Sequence, residues 1–570
     1  MNRKQRRAAA KQTPAAGTAD DGLFAEALRF QQQRRFEEAA RVYKRLLLLK
    51  PDHAEASNNL GCVLQAEGKL REASASFARA LLLVPQLFNE FAAICATLTA
   101  VLPPLADAMR RANEAWPARP PLDALLAGAS LAFIASDPLL LTILRLTPVR
   151  DVALERALTA MRLALLAQAV AGTPVDDTTL AFSCVLAQQC FINEYVFATT
   201  PEEDARVDAL KSKLRDATPM QLAAIAMYAP LHTLADAQVL LDRAWPRAID
   251  DVVTQQLREP MQERALRASI PRLTAIDDDV SLRVQQQYEE NPYPRWIHVA
   301  GNVEPVAIDD YLRVAMPGAA FASLGTQEAL DVLVAGCGTG ALPIELTRKI
   351  VGARVLAIDL SLSSLAYAKR KTPAELAGRL NYGQADILKL GTLHRSFDVI
   401  DASGVLHHMA EPAAGLRCLL PLLRPGGVMH LGLYSALARR DVTAARKYIA
   451  EKNYGSTAQD IRRARQDLLS SDLRGLARAA DMFTTSECRD LLFHVQEHQM
   501  TIPQIKSLLA ENGLRFIGFA FDPLRARHYA AAFAQAGRST ASLDAWQEFE
   551  TRFPDTFLAM YQFWVQKPRV

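Results

Sequence analysis

The sequence predicts an all-α N-terminal array followed by an α/β domain with a mostly parallel sheet. Two observations predict the helical array. Residues 36–85 contain a 34-residue repeat, and residues 91 to about 270 are rich in Ala and Leu without a clear strand. One observation predicts the α/β domain. From residue 330 onward, short apolar runs typical of strands alternate with runs typical of helices, which favours a parallel sheet covered by helices.

Length and charge set the first limits on domain number and partners. A chain of 570 residues is too long for one hydrophobic core and predicts several domains. The net charge is +3, and five basic residues lie within the first eleven, so the remainder is close to neutral. A neutral body predicts no nucleic-acid partner. We expect residues 1–20 to form a disordered basic tail.

Cysteine usage and hydropathy bear on the compartment. The seven cysteines have scattered spacings and include no C-x-x-C pair. This pattern argues against a disulfide framework and against a zinc site, and it favours a cytoplasmic location. Two apolar stretches, "FAAICATLTAVLPPL" and "LLAGASLAFIASDPLLLTIL", are interrupted by proline or aspartate. Neither reaches the ~20 apolar residues of a spanning helix, so we expect no membrane span.

The repeat defines the first domain. "FEEAARVYKRLLLLKP" (36–51) aligns with "LREASASFARALLLVP" (70–85), so that Ala39 matches Ala73 and Tyr43 matches Phe77. This pattern resembles the tetratricopeptide repeat (TPR), a helix–turn–helix unit of 34 residues. The resemblance implies TPR units over 21–90. Because two units cannot stand alone, it also implies a helical continuation or cap over 91–275. Such an array implies a surface that binds a protein partner or substrate.

The segment "DVLVAGCGTG" (331–340) begins the α/β domain. A predicted strand runs into three glycines, Gly336, Gly338 and Gly340. A turn of this kind brings backbone N–H groups and a helix N-terminus close to a ligand. Asp359 ends the next strand, where a carboxylate accepts both hydroxyls of a ribose. These residues fit NAD and S-adenosyl-L-methionine equally well.

The following strands separate these two cofactors. "QADIL" places Asp386 at the end of the third strand, and "FDVIDASGVLHHM" and "LLRPGGVMHLG" follow in order. Over residues 331–435 the chain resembles the class I S-adenosylmethionine-dependent methyltransferases. With "QQYEENPYPRW" and "DLLFHVQEHQMTIPQI", it resembles bacterial proteins that join TPR units to such a domain. The resemblance implies a Rossmann-like domain over 276–570, whose seven-stranded, mostly parallel sheet ends in a reversed hairpin. We expect insertions at about 436–500 and 522–556.

The resemblance also implies S-adenosyl-L-methionine as cofactor and roles for matching residues. Three glycines would lie under its methionine and ribose, and Asp359 would bind the ribose. Leu360 would lie beside the adenine. Asp386 and Ile387 would frame the adenine.

Four histidines and one tyrosine are further candidates. His407 and His408 follow the fourth strand, at the edge of the sheet where ligands bind. Either is a candidate base for an acceptor that arrives protonated; the alternative is a structural role.

His494 and His498, in "HVQEH", match a zinc-binding pattern that would place both on one helix face. No third ligand accompanies them, so we predict no metal and assign both to packing or to a lid over the substrate. Tyr293, between two prolines, is a candidate to close over the cofactor; the alternative is a packed aromatic.

Two functions follow from this pattern. The first is a methyltransferase whose TPR-like region recruits a protein substrate or partner. The second is a TPR adaptor whose methyltransferase-like domain binds cofactor without significant turnover. The intact glycine loop, Asp359 and Asp386 favour the first. Protein side chains, glycan hydroxyls and small metabolites all stay open as methyl acceptors.

Overall fold

A computed structural model describes residues 19–299, 304–325 and 328–569. The chain divides into two compact units. The first extends to Pro260 and includes Ala477–Thr484, and the second comprises Met261–Leu476 and Thr485–Val570. The basic tail predicted for residues 1–20 lies outside the described residues up to residue 18. The first helix begins at Ala19.

The division at residue 260 differs from the boundary at 275/276 that the sequence predicted. Residues 261–275 belong to the second unit because they cover one edge of its sheet. The Leu273 N–H donates to the Gln384 carbonyl at 2.8 Å, and the Gln384 N–H donates to the Pro271 carbonyl at 2.8 Å. Glu263 forms an ion pair with Arg370 at 2.8 Å. No periodic pattern marks such an edge-covering segment in the sequence.

The described residues of the first unit form helices joined by turns and loops. Its helices are α1 (Ala19–Gln32), α2 (Phe36–Leu49), α3 (Ala54–Ala66), α4 (Leu70–Leu83), α5 (Phe91–Val101), α6 (Pro103–Ala115), α7 (Leu122–Leu126), α8 (Leu131–Ala135), α9 (Pro138–Leu146), α10 (Val152–Ala171), α11 (Asp177–Ile192), α12 (Pro201–Lys211), α13 (Pro219–Ala226) and α14 (Arg247–Val253). A π-helical turn over Thr254–Arg258 leads into α15 (Glu259–Leu266), which spans the division. The prediction of a helical N-terminal region is confirmed.

The 34-residue repeat of the sequence is also a repeat of packing. Helices α1 to α4 pack consecutively, each against the next. The matched positions are buried in both repeats: Ala39 with Ala73, Tyr43 with Phe77, and Leu46 with Ala80. Gly61 allows α3 to approach α4, because a Cβ there would lie 2.7 Å from the ring of Phe77. The second repeat continues into later helices, since the Ser74 hydroxyl of α4 accepts a hydrogen bond from the Leu139 N–H of α9 at 3.1 Å.

Within the described ranges, no single helix is both long and apolar enough to cross a membrane. Helices α5 and α6 meet that requirement only when taken together, across a bend of 115°.

The second unit is built on one mixed sheet. Its strands are β1 (Leu330–Ala335), β2 (Ala353–Asp359), β3 (Leu380–Gln384), β4 (Phe397–Ser403), β5 (Leu423–Ser435), β6 (Gln499–Met500), β7 (Arg515–Phe519) and β8 (Met560–Gln566). They lie in the order β3-β2-β1-β4-β5-β8-β7, with β6 paired to β5 off this path. The first five are mutually parallel, whereas β8 is antiparallel to both β5 and β7. The sheet therefore ends in the reversed hairpin that was predicted, with the two-residue β6 as an addition.

Helices flank this sheet and fill the connections between its strands. They are α16 (Asp279–Glu290), α17 (Ile308–Ala315), α18 (Ala341–Lys349), α19 (Leu362–Lys371), α20 (Pro412–Leu419), α21 (Arg440–Glu451), α22 (Ala458–Leu469), α23 (Thr485–Phe493), α24 (Ile502–Glu511), α25 (Pro523–Gln535) and α26 (Leu543–Arg552). Helices α21 to α23 lie within the insertion expected at 436–500, and α25 and α26 within that expected at 522–556. The segment Ala477–Thr484 of the first insertion belongs to the first unit.

Strand order determines where a ligand can bind. The chain reverses direction across the sheet between β1 and β4, which lie side by side. A crevice forms outside the carboxyl ends of parallel strands at such a reversal. Apolar side chains fill both faces, with Leu333 and Ile400 in one core and Val332 and Val399 in the other. Polar side chains at the strand ends are thereby left to line the crevice.

Candidate functional site

The crevice at the carboxyl ends of the strands contains a cavity of about 290 Å³. Its wall includes the turn after β1, the ends of β2 to β4, helix α16 and the turn that follows α16. All of its lining residues belong to the second unit.

Two of the three predicted glycines line the cavity, and both have positive φ angles. Gly336 has φ +76°, and a Cβ there would lie 2.2 Å from a methyl of Val405. Gly338 has φ +51°, and a Cβ there would lie 2.6 Å from the Tyr293 carbonyl oxygen. Backbone conformation and lack of space both require glycine at these positions.

Gly340, the third predicted glycine, is not among the residues that line the cavity. Its predicted place under the cofactor stays a prediction. Gly340 precedes α18 with φ +86°, and a Cβ there would lie 2.4 Å from the Ala368 side chain of α19. Glycine at 340 therefore permits close packing between two helices.

Asp359 ends β2, and its carboxylate holds the glycine turn. Its Oδ2 accepts the Gly338 N–H at 2.8 Å, and its Oδ1 accepts the Ser361 N–H at 2.9 Å. Burial raises the pKa of Asp359, and the N–H groups of Ser361 and Gly338 oppose that rise. Each carboxylate oxygen retains a further lone pair, so Asp359 can still accept hydroxyl groups from a ligand in the cavity.

Asp386 follows β3 and is almost fully buried in the cavity wall. Its Oδ1 accepts the Leu388 N–H at 2.9 Å. Its Oδ2 has no hydrogen-bond partner among the residues that the structure describes. A buried oxygen left without a donor is costly, so Asp386 Oδ2 is suited to a ligand donor such as an amino group. Ile387 and Leu360 also line the cavity.

Helix α16 and the turn after it form one side of the cavity, including Tyr288 and Tyr293. The C-terminal end of α16 and the turn after it are each held by a hydrogen bond to another part of this unit. The Glu289 carboxylate accepts the Ser363 hydroxyl at 2.6 Å, and the Trp296 indole N–H donates to the Thr339 carbonyl at 2.9 Å. The Tyr293 carbonyl lies against Gly338 of the glycine turn. Closure of Tyr293 over the cofactor stays a prediction.

The two histidines after β4 differ in their access to the cavity. His408 lines the cavity, whereas His407 does not. His407 is fully buried, its Nδ1 lies 3.3 Å from the Gly432 carbonyl, and burial holds its pKa well below the usual value. Burial also lowers the pKa of His408, whose Nδ1 lies 2.8 Å from the Gln496 carbonyl. Of the pair, only His408 is placed to meet a ligand.

The expectation that His494 and His498 would share a helix face is wrong. Helix α23 ends at Phe493, and residues 494–498 are not helical. The His494 Nε2 lies 3.2 Å from the Tyr288 hydroxyl, and burial lowers its pKa to about 2. The His498 Nε2 instead lies 3.1 Å from the Ala410 carbonyl. Neither residue is among those that line the cavity, although His494 contacts residues that are.

The sequence analysis missed several cavity residues, among them a polar cluster of Tyr288, Tyr434 and Asp490. Asp490 is buried, and its Oδ1 accepts the Tyr288 hydroxyl at 2.6 Å. Its Oδ2 accepts the Tyr434 hydroxyl at 3.4 Å. The partners are distant in sequence, and no short motif joins them, so spacing held no signal for this cluster.

His408, Asp490 and His494 bring potential metal ligands within 4.8 Å of one another. The two histidine rings make contacts with protein groups instead of requiring a metal. The rings of His408 and His494 are stacked at 3.6 Å with an angle of 19°. The His494 Nδ1 accepts the Gln496 N–H, so in the neutral ring the proton lies on Nε2, where a metal would bind. The absence of a metal stays a prediction.

The cavity wall fits S-adenosyl-L-methionine. Asp386 has an unpaired buried acceptor for the adenine amino group, and Asp359 has acceptor capacity for ribose hydroxyls. The glycines leave room for close approach of the ligand to the backbone. Among the described residues that line the cavity there is no lysine or arginine, so nothing there opposes a cationic sulfonium.

Comparison with known proteins assigns the core of this unit. Residues 333–431 match a family described as "Methyltransferase domain". The second unit contains a methyltransferase domain. The cofactor of this domain is S-adenosyl-L-methionine. The match covers β1 to most of β5 and does not extend to the first unit.

Curated relatives share parts of the chain. An uncharacterized protein from Synechococcus is 29% identical over 208 residues, 35% of this chain and 49% of that protein. A ubiquinone biosynthesis O-methyltransferase from Methylocella silvestris is 40% identical over 103 residues, 18% of this chain and 39% of that enzyme. The chain thus spans about half or less of the length of these two relatives. Among solved structures, PKMT2 from Rickettsia typhi is 17% identical with a TM-score of 0.36, covering 46% of this chain and 52% of that chain.

Proposed function

We propose that this protein transfers a methyl group from S-adenosyl-L-methionine to an acceptor bound in the cavity of the second unit. The observation that carries the proposal is Asp386, which lines the same cavity as Asp359 and the glycine turn and whose buried Oδ2 lacks a donor in the described structure. When bound, the cofactor supplies a methyl group already activated on a sulfonium. The protein therefore mainly has to position the acceptor and exclude water.

The chain's own residues divide this work. Asp386 accepts the adenine amino group beside Ile387, and Asp359 accepts the ribose hydroxyls, with Leu360 next to it. Gly336 and Gly338 keep the turn below the ligand open. His408 faces the cavity, but its lowered pKa keeps it neutral and makes it a weak base at neutral pH.

The test of cofactor binding is calorimetric titration with S-adenosylhomocysteine and, separately, with NAD. We expect binding of the first only. Asp386→Asn should weaken it roughly 10- to 100-fold, because a charged acceptor of a hydrogen bond is lost. Asp386 is a cleaner target than Asp359, whose removal would also leave two backbone N–H groups unpaired. The exposed Asp441→Asn is the matched control. NAD binding, or unchanged affinity in Asp386→Asn, would overturn the assignment.

We further propose that the helical unit recruits a protein substrate or partner. The support is the TPR-like repeat, in which matched positions 34 residues apart are buried alike. Recruitment predicts that loss of the repeats raises KM for a protein acceptor and leaves kcat nearly unchanged, because uniform binding energy is removed. Binding of cofactor without any turnover would favour the adaptor alternative. The free thiols of all seven cysteines support our proposal of a cytoplasmic location.

A further inference from the structure

Part of the cavity wall is formed by residues outside the segment that matches the methyltransferase family. Nine of the described lining residues have this position, among them Tyr288, Tyr293, Tyr434, Asp490 and Met560. They come from α16, the turn after it, the end of β5, helix α23 and β8. Because the family match stops at residue 431, acceptor preferences of proteins that share only the matched segment do not carry over to this wall.

Charge is distributed unevenly around the cavity. Its charged lining residues, within the described chain, are Asp359, Asp386 and Asp490. The first two are assigned to ribose and adenine, which leaves Asp490 for the acceptor. A phosphate or carboxylate on the acceptor would find no lysine or arginine in this lining. An acceptor that arrives as a cation would find a carboxylate and the faces of tyrosine rings.

Two arginines near this wall, Arg439 and Arg446, are paired with a different carboxylate. Arg439 and Arg446 both contact the buried carboxylate of Glu497, at 2.5 and 2.8 Å. The Arg439 guanidinium also lies 3.7 Å from the centre of the Tyr434 ring. Neither arginine lines the cavity. No lysine or arginine of the described lining therefore neutralises Asp490 there.

The hydrogen bonds of Asp490 leave room for a ligand. Its Oδ1 has a short bond from Tyr288 at 2.6 Å, but the bond of Oδ2 from Tyr434 is long, at 3.4 Å. The His494 Nε2 lies 4.0 Å from Oδ1. Oδ2 is therefore the weakly bound oxygen, and it can accept a stronger donor from the cavity. The bond from Tyr288 fixes the orientation of the carboxylate.

We propose that Asp490 binds the methyl acceptor as a protonated amine and receives its proton. The inference rests on the proposed function and names its substrate class. One ammonium proton passes to Asp490 Oδ2, and the freed nitrogen lone pair forms the new C–N bond. The C–S bond breaks and its electron pair stays on sulfur, so the sulfonium becomes a neutral thioether and the product is an N-methyl ammonium. Tyr288 is a positioning residue in this scheme.

The test uses the full chain saturated with S-adenosylhomocysteine and two probes, n-butylammonium chloride and 1-butanol, observed by ligand-detected NMR. We expect butylammonium to bind and butanol to bind more weakly. Asp490→Asn should weaken butylammonium roughly 10- to 100-fold and leave butanol unchanged. Asp490→Glu should recover part of the affinity. The exposed Asp441→Asn is the matched control and should behave as the unaltered protein.

The outcomes separate the two levels of the proposal. Equal affinity for the two probes, or unchanged butylammonium affinity in Asp490→Asn with S-adenosylhomocysteine still bound, would overturn the amine inference alone. Labelled methyl recovered on oxygen in products formed by the active protein would overturn it as well. Failure of the unaltered protein to bind S-adenosylhomocysteine would instead overturn the proposed function.

Discussion

At the scale of single residues, Gly338 must be glycine for two reasons, its backbone conformation and the lack of space for a side chain. Its φ of +51° strains any other residue, and the space where a Cβ would lie is filled by the Tyr293 carbonyl, 2.6 Å away. Gly513 has a similar φ of +62° but nothing within 4 Å of the Cβ position. The two glycines therefore separate backbone strain from loss of space.

We expect Gly338→Ala to weaken S-adenosylhomocysteine binding by more than ~10-fold, because both the turn and the Tyr293 segment must move. Gly513→Ala should cost about 1 kcal/mol of folding free energy and leave the affinity unchanged. Calorimetric titration and urea unfolding measure the two quantities. Equal loss of affinity in both variants would show that general strain, rather than the filled space, matters.

Single residues also show what sequence can predict. Asp359 and Asp386 were predicted as site residues because Asp359 ends β2 and Asp386 closely follows β3, and the carboxyl ends of neighbouring parallel strands meet at one edge. Asp490 was not found, because its contact with Tyr288 joins residues from two separate elements, and only the folded chain brings them together. Gly340 was predicted to lie under the ligand; close packing against Ala368 also requires a glycine there, and the sequence pattern does not distinguish these two reasons.

At the scale of elements, α16 and the turn after it cover the cavity while being fixed at Glu289 and Trp296. Ligand in the cavity adds contacts to this segment without requiring it to refold. Its fluctuations should therefore diminish when the cavity is filled.

We expect S-adenosylhomocysteine to slow amide hydrogen exchange several-fold in residues 284–296, where local opening exposes the cavity. Helix α24, none of whose residues line the cavity, serves as the internal control. Mass spectrometry of peptides after exchange measures both. Unchanged exchange in 284–296 at saturating ligand would mean that this segment does not close over the cofactor.

Periodicity predicted the strands and helices between 330 and 435 well, because each apolar run there is buried in the sheet or against it. It failed at "HVQEH", where His494 leaves the helical pattern to contact Tyr288. Local spacing cannot show where a tertiary contact ends a helix.

At the scale of the whole molecule, three buried histidines link stability to pH. The pKa values of His407, His408 and His494 are all lowered by burial, that of His494 to about 2. In the unfolded chain the value is about 6.5. As pH falls below 6.5, the unfolded state binds protons that the folded state does not. Stability is therefore fully present above pH 6.5 and is lost progressively below it.

We expect the free energy of unfolding to fall between pH 7 and 5.5, by up to ~1.4 kcal/mol per pH unit for each histidine. His494→Gln should reduce this slope by the contribution of one histidine, because one proton fewer is taken up on unfolding. The exposed His528→Gln serves as the matched control. Urea unfolding at a series of pH values gives the slopes. A slope unaffected by His494→Gln would show that this ring takes up its proton in the folded state.

Removal of residues 1–90 tests how far cofactor binding depends on the helical unit. The cavity residues begin at Val280, so affinity for S-adenosylhomocysteine should stay within about twofold. Stability of the helical unit should fall, because α9 loses its contact with α4 and the Leu139 N–H loses the Ser74 hydroxyl. Calorimetric titration and thermal unfolding measure the two effects. Loss of binding would show that the cavity requires the repeats.

The short segment Ala477–Thr484 has a consequence for how the chain is made on the ribosome. It belongs to the first unit, although the residues on both sides of it belong to the second. The first unit therefore lacks one of its pieces until on the order of 200 further residues have been translated, which takes tens of seconds at roughly 5–20 residues per second. During that interval the first unit stays incomplete while most strands of the methyltransferase sheet are synthesised. The first unit therefore cannot complete its folding before synthesis of the second unit has begun.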